Sequence, residues 1–187
     1  MNSNSCPVCL TPRAESTSAG DGSGLKVSCR RCGKFKLGWI AEEMFLAQIS
    51  SQQRANLSGW ICKNQNCVIT SRNVQELLAT PTPPVREKAE RLLQHLAETY
   101  PTPGETIELS ENTSLELQAV ASAIDHEELL YLMREYLHEV RGFLLISAHT
   151  PKGETSECFK ISPEGWANLD SLRQENPRRE IGFHVVH

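Results

Sequence analysis

Four cysteines near the amino terminus constrain the fold of this chain more than any other feature. They form two Cys-x-x-Cys pairs separated by 19 residues: Cys6 with Cys9, and Cys29 with Cys32. This spacing is typical of a four-thiolate zinc site, in which the two residues between paired thiols let each pair curl as a knuckle around one metal ion. Gly33, directly after the second pair, can take the positive φ that such a turn uses. Leu10 holds the matching place in the first pair, so we expect that knuckle to be less regular.

The predicted metal is a structural zinc ion. Four thiolates leave no open coordination position, so the site would hold the chain together and would not activate water. The intervening stretch "STSAGDGSG" is too polar to form a core, and a metal is what would let the segment around it fold. A disulfide pair or four unbound thiols are the alternatives.

The cysteine count and the absence of targeting signals bear on the compartment. Seven cysteines, an odd number clustered toward the amino terminus, fit a reducing compartment better than a disulfide framework. The sequence has no apolar run of the roughly 18 residues that cross a bilayer, and "MNSNSCPVC" lacks the order of a secretory signal. We therefore expect a cytoplasmic protein without a membrane partner.

The charge of the chain is divided unevenly. Residues 1–40 carry a net charge of +4 and the remainder −8. The basic side chains nearest the knuckles are Lys26, Arg30, Arg31, Lys34 and Lys36. They favour either of two roles: contact with the phosphates of a nucleic acid, or partial neutralisation of a zinc–tetrathiolate cluster, whose own net charge is about −2.

The remaining reactive residues do not form a recognisable catalytic constellation. Cys62 and Cys67 have no nearby histidine to complete a second metal site and are predicted to pack, and Cys158 is predicted to be a buried, inert thiol. No phosphate-binding loop, dinucleotide fingerprint, nucleophile elbow or H-E-x-x-H motif occurs, since "HEELLYLM" has Leu130 in place of the second histidine. The six histidines are scattered through different elements. We therefore expect a protein that is not an enzyme.

The pattern of apolar and turn-forming residues predicts four regions. They are a zinc ribbon with a helical pair over 1–80, a Pro-rich linker at 81–84, a second module over 85–176, and a tail or the start of a further domain at 177–187. In the first half we expect helices over 39–49 and 50–64, a strand-like piece, and a brief helix opened by Ser71.

The second module is predicted to resemble a winged helix-turn-helix. We expect a helix from Val85, a second around 115–124, a third capped by Asp125, strands in "FLLISAH" and "ECFKIS" joined by the turn "TPKGET", and a last helix from Pro163. The fold class is therefore α+β and mostly helical. The third helix carries five carboxylates between Asp125 and Arg141, which disfavours a DNA backbone and favours a protein surface. The apolar stripes of the helices suit either packing within the chain or a homodimer.

Several motifs together resemble a group of bacterial proteins of unassigned role. These are the four cysteines, "RANLSGWI" at 54–61, "PPVREKAERLLQHLA" at 83–97 and "SPEGWANLDSLRQENP" at 162–177. In that group a zinc ribbon and helical module precede a C-terminal effector domain similar to TIR or nucleoside 2-deoxyribosyltransferase domains. The resemblance covers nearly the whole chain.

The resemblance implies a sensing or regulatory module of an effector used in defence against phage or another stress. In the group, a Gly-Phe-Val-Ala-Met-like strand opens the effector domain after the Glu-Asn-Pro, where this sequence reads "IGFHVVH". None of the effector's active-site residues is present, so its activity is not carried over. We expect a non-catalytic sensor or adaptor, and alternatively a DNA-binding regulator that uses the zinc ribbon and the wing.

Overall fold

The computed structural model describes residues 4–20, 22–43, 48–149 and 156–175. It combines helices with two small sheets, which confirms the predicted α+β class. In the described part of the chain no helix is both long enough and apolar enough to cross a bilayer.

The first half is built on a four-stranded sheet in the order β1-β2-β3-β4. Its strands are β1 (Glu15–Ser18), β2 (Gly24–Cys29), β3 (Gly33–Gly38) and β4 (Cys67–Ile69). β2 pairs antiparallel with both neighbours, and β4 joins β3 in parallel. Val27, Phe35 and Leu37 alternate with exposed lysines, so one face of the sheet enters the core and the other faces solvent.

Three helices accompany this sheet: α1 (Trp39–Ala41), α2 (Ser51–Lys63) and α3 (Val74–Leu78). Ser50 begins α2 with a capping box, accepting from the Gln53 amide while the Gln53 side chain accepts from the Ser50 amide. This confirms the predicted second helix. The helix predicted over 39–49 is not continuous, since residues 48–50 are not helical; residues 44–47 lie outside the described ranges.

The brief helix α3 exists but does not begin at Ser71. Residues 71–73 form a turn, and the side chain of Asn73 accepts from the Thr70 amide at 2.8 Å and donates to the Val68 carbonyl at 2.9 Å. An Asn side chain that bonds backbone in this way favours a turn over a helix. The helix therefore begins at Val74.

The second half contains α4 (Val85–Thr99), α5 (Glu111–Ala121), α6 (His126–Leu130) and α7 (Pro163–Glu175). After α6 the chain continues as a π-helix over Tyr131–Val140. The strands β5 (Ile107–Glu108), β6 (Leu144–His149) and β7 (Ser156–Ile161) form an antiparallel sheet in the order β5-β7-β6.

Most of these elements were predicted. α4 and α7 begin at Val85 and Pro163 as expected, and Asp125 caps α6 by accepting from the Glu128 amide at 2.9 Å. The helix predicted around 115–124 lies instead over Glu111–Ala121, because Ser110 caps it early and Ser122 ends it in a left-handed conformation. β5 was not predicted. The turn "TPKGET" and the region 177–187 lie outside the described residues.

Two apolar cores lie on either side of the predicted linker. The first gathers side chains of the first sheet, α2 and α3, and the second gathers side chains of α4, α5, α6, the π-helix and the second sheet. α2 packs against α5 between them, where the absent side chain of Gly59 lets the helices approach closely. The division into regions at 81–84 stays a prediction.

Candidate metal centre

The four predicted cysteines converge on one point. Their sulfur atoms all lie within 4.8 Å of one another. Cys6, Cys29 and Cys32 are buried, and Cys9 is half-buried. The Cys6 and Cys32 Sγ atoms are 3.9 Å apart, and the Cys9 and Cys29 Sγ atoms are 3.5 Å apart.

These distances suit a tetrahedral metal. With metal–sulfur bonds of about 2.3 Å, a tetrahedral zinc ion places its four sulfurs about 3.8 Å from one another. No disulfide joins any of the seven cysteines, all of which lie in the described residues. The structure therefore does not contain the disulfide that was the alternative. The four thiols are close enough together to hold a metal ion.

Hydrogen bonds among the sulfurs shift the pKa values of the four thiols in opposite directions. The bond from Cys32 lowers the pKa of the Cys29 thiol far below its ordinary value, and the same contact raises the pKa of Cys32. The backbone amides of Arg31 and Cys32 also point at Cys29 Sγ, at 3.4 and 3.5 Å. The two amides favour a thiolate at Cys29, the form in which a cysteine binds a metal ion.

Both knuckles have a residue with positive φ directly after their second cysteine. Gly33 has φ 84° and Leu10 has φ 62°, both in the left-handed region. The Leu10 amide donates to the Cys6 carbonyl at 2.9 Å, closing the first knuckle. The expected irregularity of that knuckle is therefore not found in its turn, although Leu10 adopts a conformation that costs a side-chain-bearing residue about 1 kcal/mol.

Helix α2 braces both knuckles. Arg54 Nη1 donates to the carbonyls of Pro7 and Val8 at 3.1 and 2.8 Å. The buried Ser58 Oγ lies 3.2 Å from Cys32 Sγ, at hydrogen-bond distance. Neither contact was predicted: "RANLSGWI" contains Arg54 and Ser58, but nothing in its spacing indicates partners in the knuckles.

A glutamine after α2 supports the second knuckle. Gln65 Nε2 donates to the Cys32 carbonyl at 3.1 Å, while Gln65 Oε1 accepts from the Lys34 amide at 2.7 Å. The amide group lies where a Cβ on Gly33 would be, at 2.2 Å from Oε1. Glycine therefore suits this position, because a side chain would be strained at this φ and would displace the Gln65 amide from its two hydrogen bonds.

The two arginines of the second knuckle contact the second half of the chain. Arg31 is only 7% exposed and donates to the carbonyls of Ala123 and Ile124, just beyond the end of α5; the contact to Ile124 is 3.2 Å. Arg30 forms an ion pair with Glu111 at 3.0 Å at the start of the same helix. Lys26, Lys34 and Lys36 remain exposed on the first sheet.

The other cysteines do not build a second site. Burial raises the pKa of both Cys62 and Cys67, which makes them poor nucleophiles. Cys158 is fully buried in β7. Within the described ranges, no further group of three or more potential ligands is close enough to hold a metal.

Three of the six histidines make structural contacts. His126 Nδ1 lies 2.8 Å from Ser114 Oγ, and His138 Nδ1 lies 2.7 Å from the Leu144 carbonyl. His95 Nε2 lies 3.1 Å from a Glu116 carboxylate oxygen on α5. His184 and His187 lie outside the described residues.

Comparison with known proteins does not extend these observations. No protein-family model, curated protein or solved structure matches the chain significantly. The metal centre and its bracing contacts are therefore the features from which a function can be argued.

Proposed function

We propose that this chain is a non-catalytic, zinc-stabilised sensor or adaptor module that recognises a partner and regulates a bacterial effector. The observation that carries the proposal is a closed cluster of four thiols whose supporting helix also contacts the second half of the chain. A closed site of this kind stabilises structure and offers no position for a substrate.

Zinc fits the donor set. Four thiolates select a soft or borderline metal, and zinc takes them in a tetrahedron without redox chemistry. Cys6, Cys9, Cys29 and Cys32 would be its ligands. When bound, the ion would hold the two knuckles together and replace their thiol protons.

Side-chain contacts connect the thiol cluster to the second half of the chain. Ser58 and Gly59 are adjacent on α2, the first contacting Cys32 and the second lying against α5. Arg31, between two metal ligands, bonds carbonyls beyond the end of α5. A change at the metal would therefore alter the support of α5, which is a property that suits a sensor.

The order of elements in the second half supports a winged-helix-like module. Three helices, with a short strand between the first two, are followed by two paired strands, and β5 completes a three-stranded antiparallel sheet. The third helical segment presents Glu127, Glu135 and Glu139 to solvent. An acidic surface of this kind favours a protein partner or an effector domain over a DNA backbone.

The assignment to defence against phage or another stress rests on the resemblance to the zinc-ribbon effector proteins described above. In the same way, a cytoplasmic location remains the expectation drawn from seven reduced cysteines.

Metal analysis and a turnover assay test the proposal. We expect one zinc ion per purified chain, lost in Cys29→Ser and retained in the control Cys62→Ser, since Cys62 is a half-buried thiol outside the cluster. A panel of nucleotides and nucleic acids should show no turnover. A chain that purifies without a metal, or turnover that a point substitution abolishes, would overturn the proposal.

A second candidate is a nucleic-acid-binding regulator. Three exposed lysines on one sheet face favour it, whereas the buried Arg31 and the ion-paired Arg30 do not. This candidate therefore depends on the solvent face of the first sheet.

A further inference from the structure

The solvent face of the first sheet is basic. Lys26 on β2 lies directly opposite Lys36 on β3, and Ser28 lies opposite Lys34. All three lysines are exposed, and with Thr17 and Asn66 they surround an open depression of about 240 Å³. We call this set of lysines, together with Thr17, Ser28 and Asn66, the lysine face.

The positive charge of the lysine face is not neutralised within the described part of the chain. None of its three lysines forms an ion pair with a described acidic side chain. Glu15 at the rim lies opposite Ser28 and is the one described carboxylate lining the depression. Like charges directly opposite each other destabilise a sheet, so the Lys26–Lys36 pair has an electrostatic cost that a bound anion would remove.

An exposed aromatic side chain lies just beyond the end of β3, the strand that carries Lys34 and Lys36. Trp39 follows β3 directly, and its side chain is 46% exposed. Trp39 Nε1 donates to the Gly22 carbonyl at 3.2 Å, which restrains the indole beside the paired glycines Gly24 and Gly38. An indole fixed at its edge and open on its surface is able to stack against a planar group.

We propose that the lysine face binds single-stranded nucleic acid, with backbone phosphates on Lys26, Lys34 and Lys36 and a base stacked on Trp39. The inference rests on the proposed function, because the zinc knuckle closes the β2–β3 hairpin that displays these residues. Lysines that follow a phosphate backbone, combined with an aromatic platform, are the usual elements of such sites.

The charge distribution favours a single strand over a duplex. Residues 81–187 contain 18 acidic and 10 basic residues, so a long, rigid polyanion would meet a repulsive second half. Glu42 and Glu43 come three and four residues after Trp39, and this negative charge disfavours a phosphate there and favours an uncharged base. A short flexible strand satisfies both conditions.

Fluorescence anisotropy of the full-length, zinc-loaded protein tests the proposal. The probes are labelled DNA and RNA single strands of about 15 nucleotides and a duplex of equal length, a size that covers one such site. We expect both single strands to bind better than the duplex. The logarithm of the association constant should fall with the logarithm of salt concentration with a slope of about −2, as three neutralised phosphates would give.

Matched variants locate the binding. Binding should be abolished in the triple variant Lys26→Gln/Lys34→Gln/Lys36→Gln. The control removes equal charge from α4 and α7 and should leave binding unchanged; it is the triple variant Arg86→Gln/Arg91→Gln/Arg173→Gln. Trp39→Ala should weaken single-strand binding by about tenfold, and Trp39→Phe should retain most of it, because stacking contributes about 1–3 kcal/mol per base.

Several results would overturn the inference. These are no detectable binding at low salt, equal loss in both triple variants, equal affinity for the duplex, and equal affinity for a poly-glutamate peptide. A difference between the DNA and RNA strands would show which of the two the face prefers. Because zinc content and turnover are measured separately, a zinc-loaded, inactive protein that binds no strand would refute this inference alone, whereas a metal-free chain would refute the proposed function.

Discussion

Gly59 on α2 lies against Ser122 at the end of α5, so closely that a Cβ on Gly59 would be 2.3 Å from Ser122 Oγ. The same Cβ would lie 2.8 Å from the Ala119 carbonyl oxygen, a backbone atom that cannot rotate away. This contact joins the helix that braces the metal centre to the second half of the chain. The absence of a side chain at position 59 therefore sets how closely the two halves approach.

Gly59→Ala should lower the free energy of unfolding by about 1–3 kcal/mol, because the added methyl group overpacks this contact. The loss should appear although alanine favours a helix by up to about 1 kcal/mol over glycine. Urea denaturation followed by circular dichroism measures it. Gly20→Ala, with no atom near the added Cβ, is the control and should be neutral. Adding Ser122→Gly should restore part of the loss, and strict additivity of the two changes would contradict the contact.

Ser58→Ala should weaken zinc binding by about tenfold, because a thiolate at Cys32 would lose the hydroxyl group 3.2 Å away. Competition with a chelating zinc indicator gives the affinity ratio. The exposed Ser51, at the start of the same helix, supplies the control Ser51→Ala, which should bind as the wild type does. Equal affinity of the Ser58 variant and the wild type would show that the hydroxyl does not support the ligand.

Removal of the metal should unfold the first half selectively. Cys6, Cys29 and Cys32 are part of the first core, whereas the second core contains only side chains beyond residue 85. A strong chelator in reducing buffer should therefore increase hydrogen exchange over β2 and β3 and leave α4 protected. Added zinc should restore protection. A uniform loss of protection over both halves, or no change in hydrogen exchange, would be inconsistent with a metal that stabilises the first half locally.

The convergence of the four cysteines could be predicted because Cys-x-x-Cys geometry is local, whereas the contacts that support the cluster are not local. Arg31 bonds carbonyls that lie 92 and 93 residues away, and no spacing rule indicates such a partner. The positive charge of Arg31 suggested an interaction with thiolates or phosphates. In the structure its guanidinium group instead donates hydrogen bonds to backbone carbonyls just beyond the end of α5. The contact of Ser58 could not be predicted for a similar reason, since its partner Cys32 lies outside α2 and is distant in the sequence.

Helix starts were predicted where one residue determines them. Asp125 and Pro163 act within a single turn, and both begin helices in the structure. The two-residue strand β5 was missed because so short a strand has no periodicity. It is defined only by its pairing with β7, in which Ile107 lies opposite Phe159 and Glu108 opposite Cys158. The sequence pattern therefore did not predict strand pairing between distant residues or the side-chain hydrogen bonds that support the thiol cluster.

Glu128→Gln should destabilise the second half by about 2 kcal/mol. Lys88 is only 3% exposed, and its Nζ lies 2.6 Å from Glu128 Oε1, so the substitution would leave a buried ammonium group without a counterion. Denaturant unfolding measures the loss, and the exposed neighbour Glu127→Gln is the control. Adding Lys88→Met should recover part of the stability, because it removes the uncompensated charge; a further large loss would contradict this interpretation.

Leu10→Gly should stabilise the zinc-loaded protein by about 0.5–1 kcal/mol, because glycine adopts the left-handed conformation at this position without the strain that a Cβ causes. Leu10 is largely exposed, so little apolar burial is lost. The reverse test is Gly33→Ala, where φ is 84° and the Gln65 amide occupies the space of the new methyl group. That variant should lose stability and release zinc more readily. The measurements are the denaturant midpoint and the resistance to chelator of both variants. Destabilisation by Leu10→Gly would contradict the prediction, because it would show that the leucine side chain stabilises the first knuckle by more than its backbone strain costs.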